Sequence, residues 1–139
     1  MSETKELRLP SRIESVDEAA SQAETFVRSN GLGDDFASAI DLAVRESVAN
    51  AVKHGNKFDP EKEVEITFTR SPKGVEILVR DFGPGFAPDE IPDPTNPANL
   101  LKASGRGILF MRSFMDEVEW SNHDGGGMVV KMRKVTGDG

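Results

Sequence analysis

Glu46, Asn50 and His54 follow one another at intervals of four residues. On a helix of about 3.6 residues per turn that interval turns the side chain by only about 40°, so a carboxylate, a carboxamide and an imidazole share one helix edge. Taken alone, the set also reads as an ordinary solvated face. A second group, Asp81-Phe82-Gly83-Pro84-Gly85-Phe86, follows a predicted strand. Its residue types suit a turn. They also suit a site where Gly83 and Gly85 let the backbone approach a flat ligand and the Asp81 carboxylate accepts a hydrogen bond from an exocyclic amine. A third group, Ser104-Gly105-Arg106-Gly107-Ile108, places glycines just before a predicted helix. Backbone N–H groups there point at anions, and Arg106 can add a fork of donors to a terminal phosphate. A flexible hinge with a solvated arginine is the alternative.

These groups need elements to hold them. Ile40, Ala43, Val44, Val48, Ala51 and Val52 recur at intervals of three and four, which predicts an amphipathic helix opened by Asp34 or Asp35 and closed by His54-Gly55-Asn56. Before it, Ser15 and Glu18 have capping-box spacing, predicting a helix over Val16–Ser29 that ends at Asn30-Gly31. Glu6–Leu9 alternates and meets Pro10, as a short edge strand does. Glu63–Thr69 and Val75–Val79 flank the turn Ser71-Pro72-Lys73-Gly74 and predict a hairpin. Residues 81–107 hold five of the eight prolines and four glycines, the texture of a functional loop or lid. A helix over Ile108–Met115, a strand over Glu117–Trp120, a turn at Asp124–Gly127 and a strand over Met128–Val135 complete the order. The expected fold class is α/β: a two-layer α+β sandwich with a mixed sheet of about five strands and helices on one face.

With 139 residues the chain fits one domain over its whole length. It has no cysteine, so neither disulfides nor thiolate metal sites are available. Apolar runs stay below the ~18 residues that span a bilayer, and the polar start lacks a signal-peptide core. A cytoplasmic protein with no membrane partner is the expectation. The net charge of −7 argues against nucleic acid as partner, because phosphate-backbone binding draws on basic patches. It leaves nucleotides open, since main-chain N–H groups and a metal can hold their phosphates. There is no Walker A loop and no strand-linked G-x-G-x-x-G.

The succession R-E-x-x-x-N-x-x-x-H-G, D-F-G-P-G-F and S-G-R-G-I resembles the gyrase and histidine-kinase type of ATP-binding domain, the GHKL or Bergerat fold. Within it, Asn96-Pro97-Ala98-Asn99-Leu100-Leu101 and the stretch Gly105–Met115 are similar to the bacterial anti-sigma-factor serine/threonine kinases. The resemblance runs from about Glu6 to Lys134. It implies ATP and Mg2+ as cofactors, with Asn50 giving a side-chain oxygen to Mg2+ and Glu46 acting as general base on a protein serine or threonine. It further implies that Asp81 binds the adenine amine with Gly83 and Gly85 beside the ring. Gly105 and Gly107 would hold phosphates, and Arg106 would sense or neutralise the terminal one. The implied partners are an anti-sigma-factor antagonist of the STAS type, a sigma factor and a second copy of the chain. Two other readings stay open: a nucleotide-responsive binding module without turnover, and a related kinase serving a signalling complex.

Six residues receive plainer readings. His54 reads first as a structural histidine near the helix C-terminus, with a phosphate contact as the alternative. His123 lies beside a turn and makes no transition-metal site with it. Arg45 is a surface or sheet-edge charge, and the group Phe110, Met111 and Phe114 reads as core, with an interface as the alternative for any exposed member. The sequence departs from the family pattern in one place: relatives carry a threonine after a glycine near the last strand, where this chain has Gly127-Met128. One adenine contact is therefore in doubt, at a cost of about 0.5–1.5 kcal/mol for a lost neutral hydrogen bond.

Overall fold

Alternation of apolar and polar residues sets the sheet. In the computed structural model, described for residues 3–83 and 115–136, β1 spans Glu3–Pro10, β2 Glu63–Ser71, β3 Gly74–Arg80, β4 Glu117–Asn122 and β5 Met128–Val135, in the spatial order β1-β2-β3-β5-β4. Val64, Ile66 and Phe68 of β2, Val75, Ile77 and Val79 of β3, and Val130 and Met132 of β5 are buried on one face. Each such side chain contributes about 1.5–3 kcal/mol when fully removed from water.

Two helices, α1 (Glu14–Ser29) and α2 (Asp34–Asn50), cover that face. Every pairing in the sheet is antiparallel, so the expected five strands are present and the expected mixture of directions is not. For β1 and β2 the reason is the two-helix connection. One helix would carry the chain back for a parallel strand, whereas a second returns it to where β1 ended, and Pro10 pairs with Glu63.

Helix α1 begins two residues earlier than the capping-box spacing predicts, and Ser15 does not cap it. Its hydroxyl donates to the Pro10 carbonyl at 2.6 Å, and the N-cap position falls on Ile13, with no side-chain cap. The helix ends as expected, with Asn30 as C-cap and Gly31 in the left-handed region at φ 79°.

The apolar stripe of α2 is buried as its spacing requires: Ile40, Ala43, Val44, Val48, Ala51 and Val52 all lie in the core. On the helix surface Arg45 pairs with Asp41 and with Asp17 of α1, in keeping with a surface charge. What the spacing does not show is that the helix changes pitch after Asn50. Ala51–Gly55 forms a π-helical turn, closed by a bond from Asn56 N–H to the Ala51 carbonyl at 2.8 Å. The expected helix at 108–115 lies outside the described residues except for Met115, which is buried and not helical.

Candidate functional site

Strand β3 points its odd-numbered residues at the helices, and Asp81 continues that alternation one step past the strand end. A carboxylate is thereby carried into the protein, where only 6% of Asp81 remains exposed. Asp81 N–H donates to the Met128 carbonyl at 3.0 Å, extending the ladder between β3 and β5. Its side chain then takes over from the main chain. Oδ1 accepts from Gly83 N–H at 2.9 Å and from Met128 N–H at 3.2 Å.

Oδ2 makes no hydrogen bond among the described residues and faces Gly55. Burial pushes the Asp81 carboxyl above its ordinary value; the N–H groups of Gly83 and Met128, and then the charges of Lys62 and Arg80, pull it back only in part. An acceptor of this kind, half satisfied and fixed, suits an exocyclic amine.

Three glycines make the close approach possible. A methyl at Gly55 would lie 2.2 Å from Asp81 Oδ2, one at Gly83 would lie 2.0 Å from the Gly55 carbonyl oxygen, and one at Gly127 would lie 1.9 Å from the Asp81 carbonyl oxygen. Side chains do not fit at such distances. The π-helical turn, the loop after β3 and the turn before β5 therefore meet around one carboxylate. Met128 stands where the threonine was expected, and its main-chain N–H, rather than a hydroxyl, holds Asp81.

Glu46 and Asn50 occupy successive turns at the end of α2, both half-buried, and the helix leads directly into the turn that packs on Asp81. His54 is exposed in that turn. Among the described residues no group of three or more His, Cys, Asp or Glu could hold a metal ion. The oxygen of Asn50 nonetheless fits a hard cation that fills its shell with phosphate oxygens and water. Gly85, Gly105, Arg106 and Gly107 lie outside the described residues, as do Phe110, Met111 and Phe114.

Two residues that sequence reasoning missed hold the site together. Arg80 donates from Nε and Nη2 to the Gly126 carbonyl at 3.2 and 2.9 Å, pairs with Glu65 at 3.3 Å, and stacks its guanidinium 4.2 Å from the Phe82 ring centre. Asn56, 2% exposed, accepts from Phe82 N–H at 2.7 Å and donates to the Glu63 carbonyl at 3.0 Å. An arginine ending a strand and an asparagine after a helix are ordinary on the page, and no local signal marks either. His123 lies beside the turn, and its Nδ1 accepts from Gly125 N–H at 2.8 Å.

Known proteins resemble this chain in sequence and in fold. The serine-protein kinase RsbW of Bacillus subtilis is 34% identical over 99 residues, covering 67% of this chain and 61% of that one. The anti-sigma F factor of Bacillus cytotoxicus is 36% identical over 99 residues, covering 68% and 66%. The match thus spans less than two thirds of either relative. In fold, the chain superimposes on the crystal structure of RsbU and RsbW domains from Mycobacterium tuberculosis with a TM-score of 0.68, at 17% identity, over 96% of this chain and 32% of that one. The mycobacterial sensor histidine kinase MprB gives a TM-score of 0.59 at 16% identity, over 97% of both chains. The model of the histidine kinase-like ATPase domain matches residues 9–134. The chain belongs to the family of histidine kinase-like ATPase domains.

Proposed function

We propose that this protein is an ATP-dependent protein serine/threonine kinase that phosphorylates an anti-sigma-factor antagonist of the STAS type and, when free of it, sequesters a sigma factor. The observation that carries this reading is the buried Asp81 carboxylate, with Oδ1 fixed by two main-chain N–H groups and Oδ2 left to a ligand beside Gly55. Adenine offers its exocyclic amine as a donor to such an anionic acceptor. The names of the Bacillus relatives, a serine-protein kinase and an anti-sigma F factor, support the same reading.

In this reading Gly83 and Gly85 lie beside the adenine ring, while Gly105, Gly107 and Arg106 hold the phosphates. Asn50 offers Mg2+ an oxygen, and the bound ion supplies charge neutralisation at the phosphates. Glu46 takes the proton of the substrate hydroxyl as that oxygen bonds to the γ-phosphorus, and ADP leaves with the electrons of the broken P–O bond. The protein acts in the cytoplasm as a homodimer and uses no nucleic acid or membrane partner. No helix among the described residues is long and apolar enough to cross a membrane.

The test is to immobilise the protein, recover partners from its native lysate, and add Mg2+ with γ-labelled ATP, with Glu46→Ala run in parallel. A small protein labelled on serine or threonine by the wild type is expected, with transfer by Glu46→Ala slower by about 10²–10⁴-fold, as for loss of a general base. Labelling by Glu46→Ala at the wild-type rate would show that Glu46 is not the base. Partners that come and go with nucleotide yet never take up label would make the protein a nucleotide-responsive binding module instead.

A further inference from the structure

We infer that Asn56 is a positioning residue for nucleotide binding: its buried carboxamide ties the end of the helix that carries Asn50 to the loop that carries Asp81 and Gly83. The inference rests on the nucleotide-binding reading of the site. Asn56 follows the π-helical turn directly, and its own N–H closes that turn on Ala51. An asparagine that merely ended a helix would bond its own last turn or face water. Here both ends of the carboxamide reach other elements, the oxygen to Phe82 N–H and the nitrogen to the first carbonyl of β2 at Glu63.

Phe82 N–H is the first main-chain donor past the point where β3 and β5 stop pairing, since the last ladder bond is that of Asp81. Without Asn56 this donor, between the amine acceptor and the ring-flanking glycine, has no strand to bond. The next residue, Gly83, sits against the Gly55 carbonyl and donates to Asp81 Oδ1. The Phe82 bond therefore sets how the loop lies on the helix end, and with it the direction of Oδ2. Only a carboxamide serves both neighbours, because a carboxylate lacks the donor and a hydroxyl the reach.

The experiment compares wild type, Asn56→Ala and Asn56→Asp. The melting temperature is measured without nucleotide, ADP affinity is measured by titration with a fluorescent ADP analogue, and exchange of the Phe82 amide is followed by NMR. Asn56→Asp keeps an acceptor for Phe82 N–H and gives up the donor to Glu63; Asn56→Ala loses both. The expected result is that Asn56→Ala weakens ADP binding about tenfold or more and speeds Phe82 exchange, while Asn56→Asp stays within about threefold of wild-type affinity even where its melting temperature falls.

A folded Asn56→Ala that binds ADP as wild type does overturns the inference. So do affinity losses in both variants that merely follow their melting temperatures. Should Asn56→Ala fail to fold, the wild type decides: an amide at Phe82 protected like those of β3 supports the clamp, and unprotected exchange overturns it. A wild type that binds no ADP would instead overturn the proposed function, an outcome distinct from a wild type that binds and an Asn56→Ala that binds equally well.

Discussion

At Asp81 the proposed binding of adenine and the stability of the fold pull in opposite directions. Burial raises its folded-state pKa above that of an aspartate in the unfolded chain, so protonation favours the fold. Its favourable contribution is complete below the ordinary value and is lost as pH rises through the raised one. Amine binding has the reverse requirement, since the carboxylate must be ionised. Affinity for ADP, measured by titration across pH 4–7, is therefore expected to fall as pH drops through the raised Asp81 value, at a higher pH than an ordinary carboxylate near ~3.9 would give. Asp81→Asn separates the two effects at neutral pH. The amide oxygen still accepts from Gly83 and Met128, no charge is buried, and a thermal melt should show equal or higher stability. ADP binding should weaken tenfold or more, because a hydrogen bond to a charged group is worth about 1.5–3 kcal/mol and the new N–H₂ faces another donor. Met128 belongs to the same argument: its main-chain N–H bonds Asp81, as that of any residue there would, and its side chain adds no hydroxyl.

The elements that meet around Asp81 were legible to different degrees. The hairpin of β2 and β3, the strand Met128–Val135 and the buried stripe of α2 could be read from periodicity, since one buried face imposes a period of two or 3.6 on the residues that line it. The Glu46 and Asn50 pair and the Asp81 loop stood out as motifs, and the structure packs the loop on the turn that follows the pair. The π-helical turn was not legible, because the buried stripe ends at Val52, at the start of that turn, and leaves no apolar residue beyond it to record the change of pitch. Ser15 misled for a related reason: the capping-box pattern is local, while the Pro10 carbonyl that takes its hydroxyl belongs to the preceding strand. Asn56 and Arg80 act on residues far along the chain, and no short pattern encodes such a partner. The widened turn also defines a sharp test. Gly55→Ala puts a methyl into the Asp81 carboxylate, so the variant should lose about 1–3 kcal/mol in chemical denaturation, the usual cost of overpacking. It should also lose most of its ADP affinity, whereas Gly33→Ala, where a methyl meets open space, should keep it.

For the molecule as a whole, one core holds both layers. Phe68 is fully buried in β2 and packs against Phe26 of α1 with ring centres 5.6 Å apart, joining sheet to helix. Phe68→Ala is expected to cost about 3–5 kcal/mol in urea denaturation, a large part of the ~5–15 kcal/mol that a domain possesses. The two-helix connection that makes β1 and β2 antiparallel also sets these two strands far apart in the chain. Strands β2 and β3 face each other across Pro72 and Lys73 and close early, whereas Pro10 meets Glu63 only after residues 11–62 have been drawn in. During synthesis β1 thus leaves the ribosome first and waits longest for its neighbour. Glu3, Lys5, Glu6 and Arg8 lie along it, and charges of both signs keep a waiting strand from joining the wrong partner.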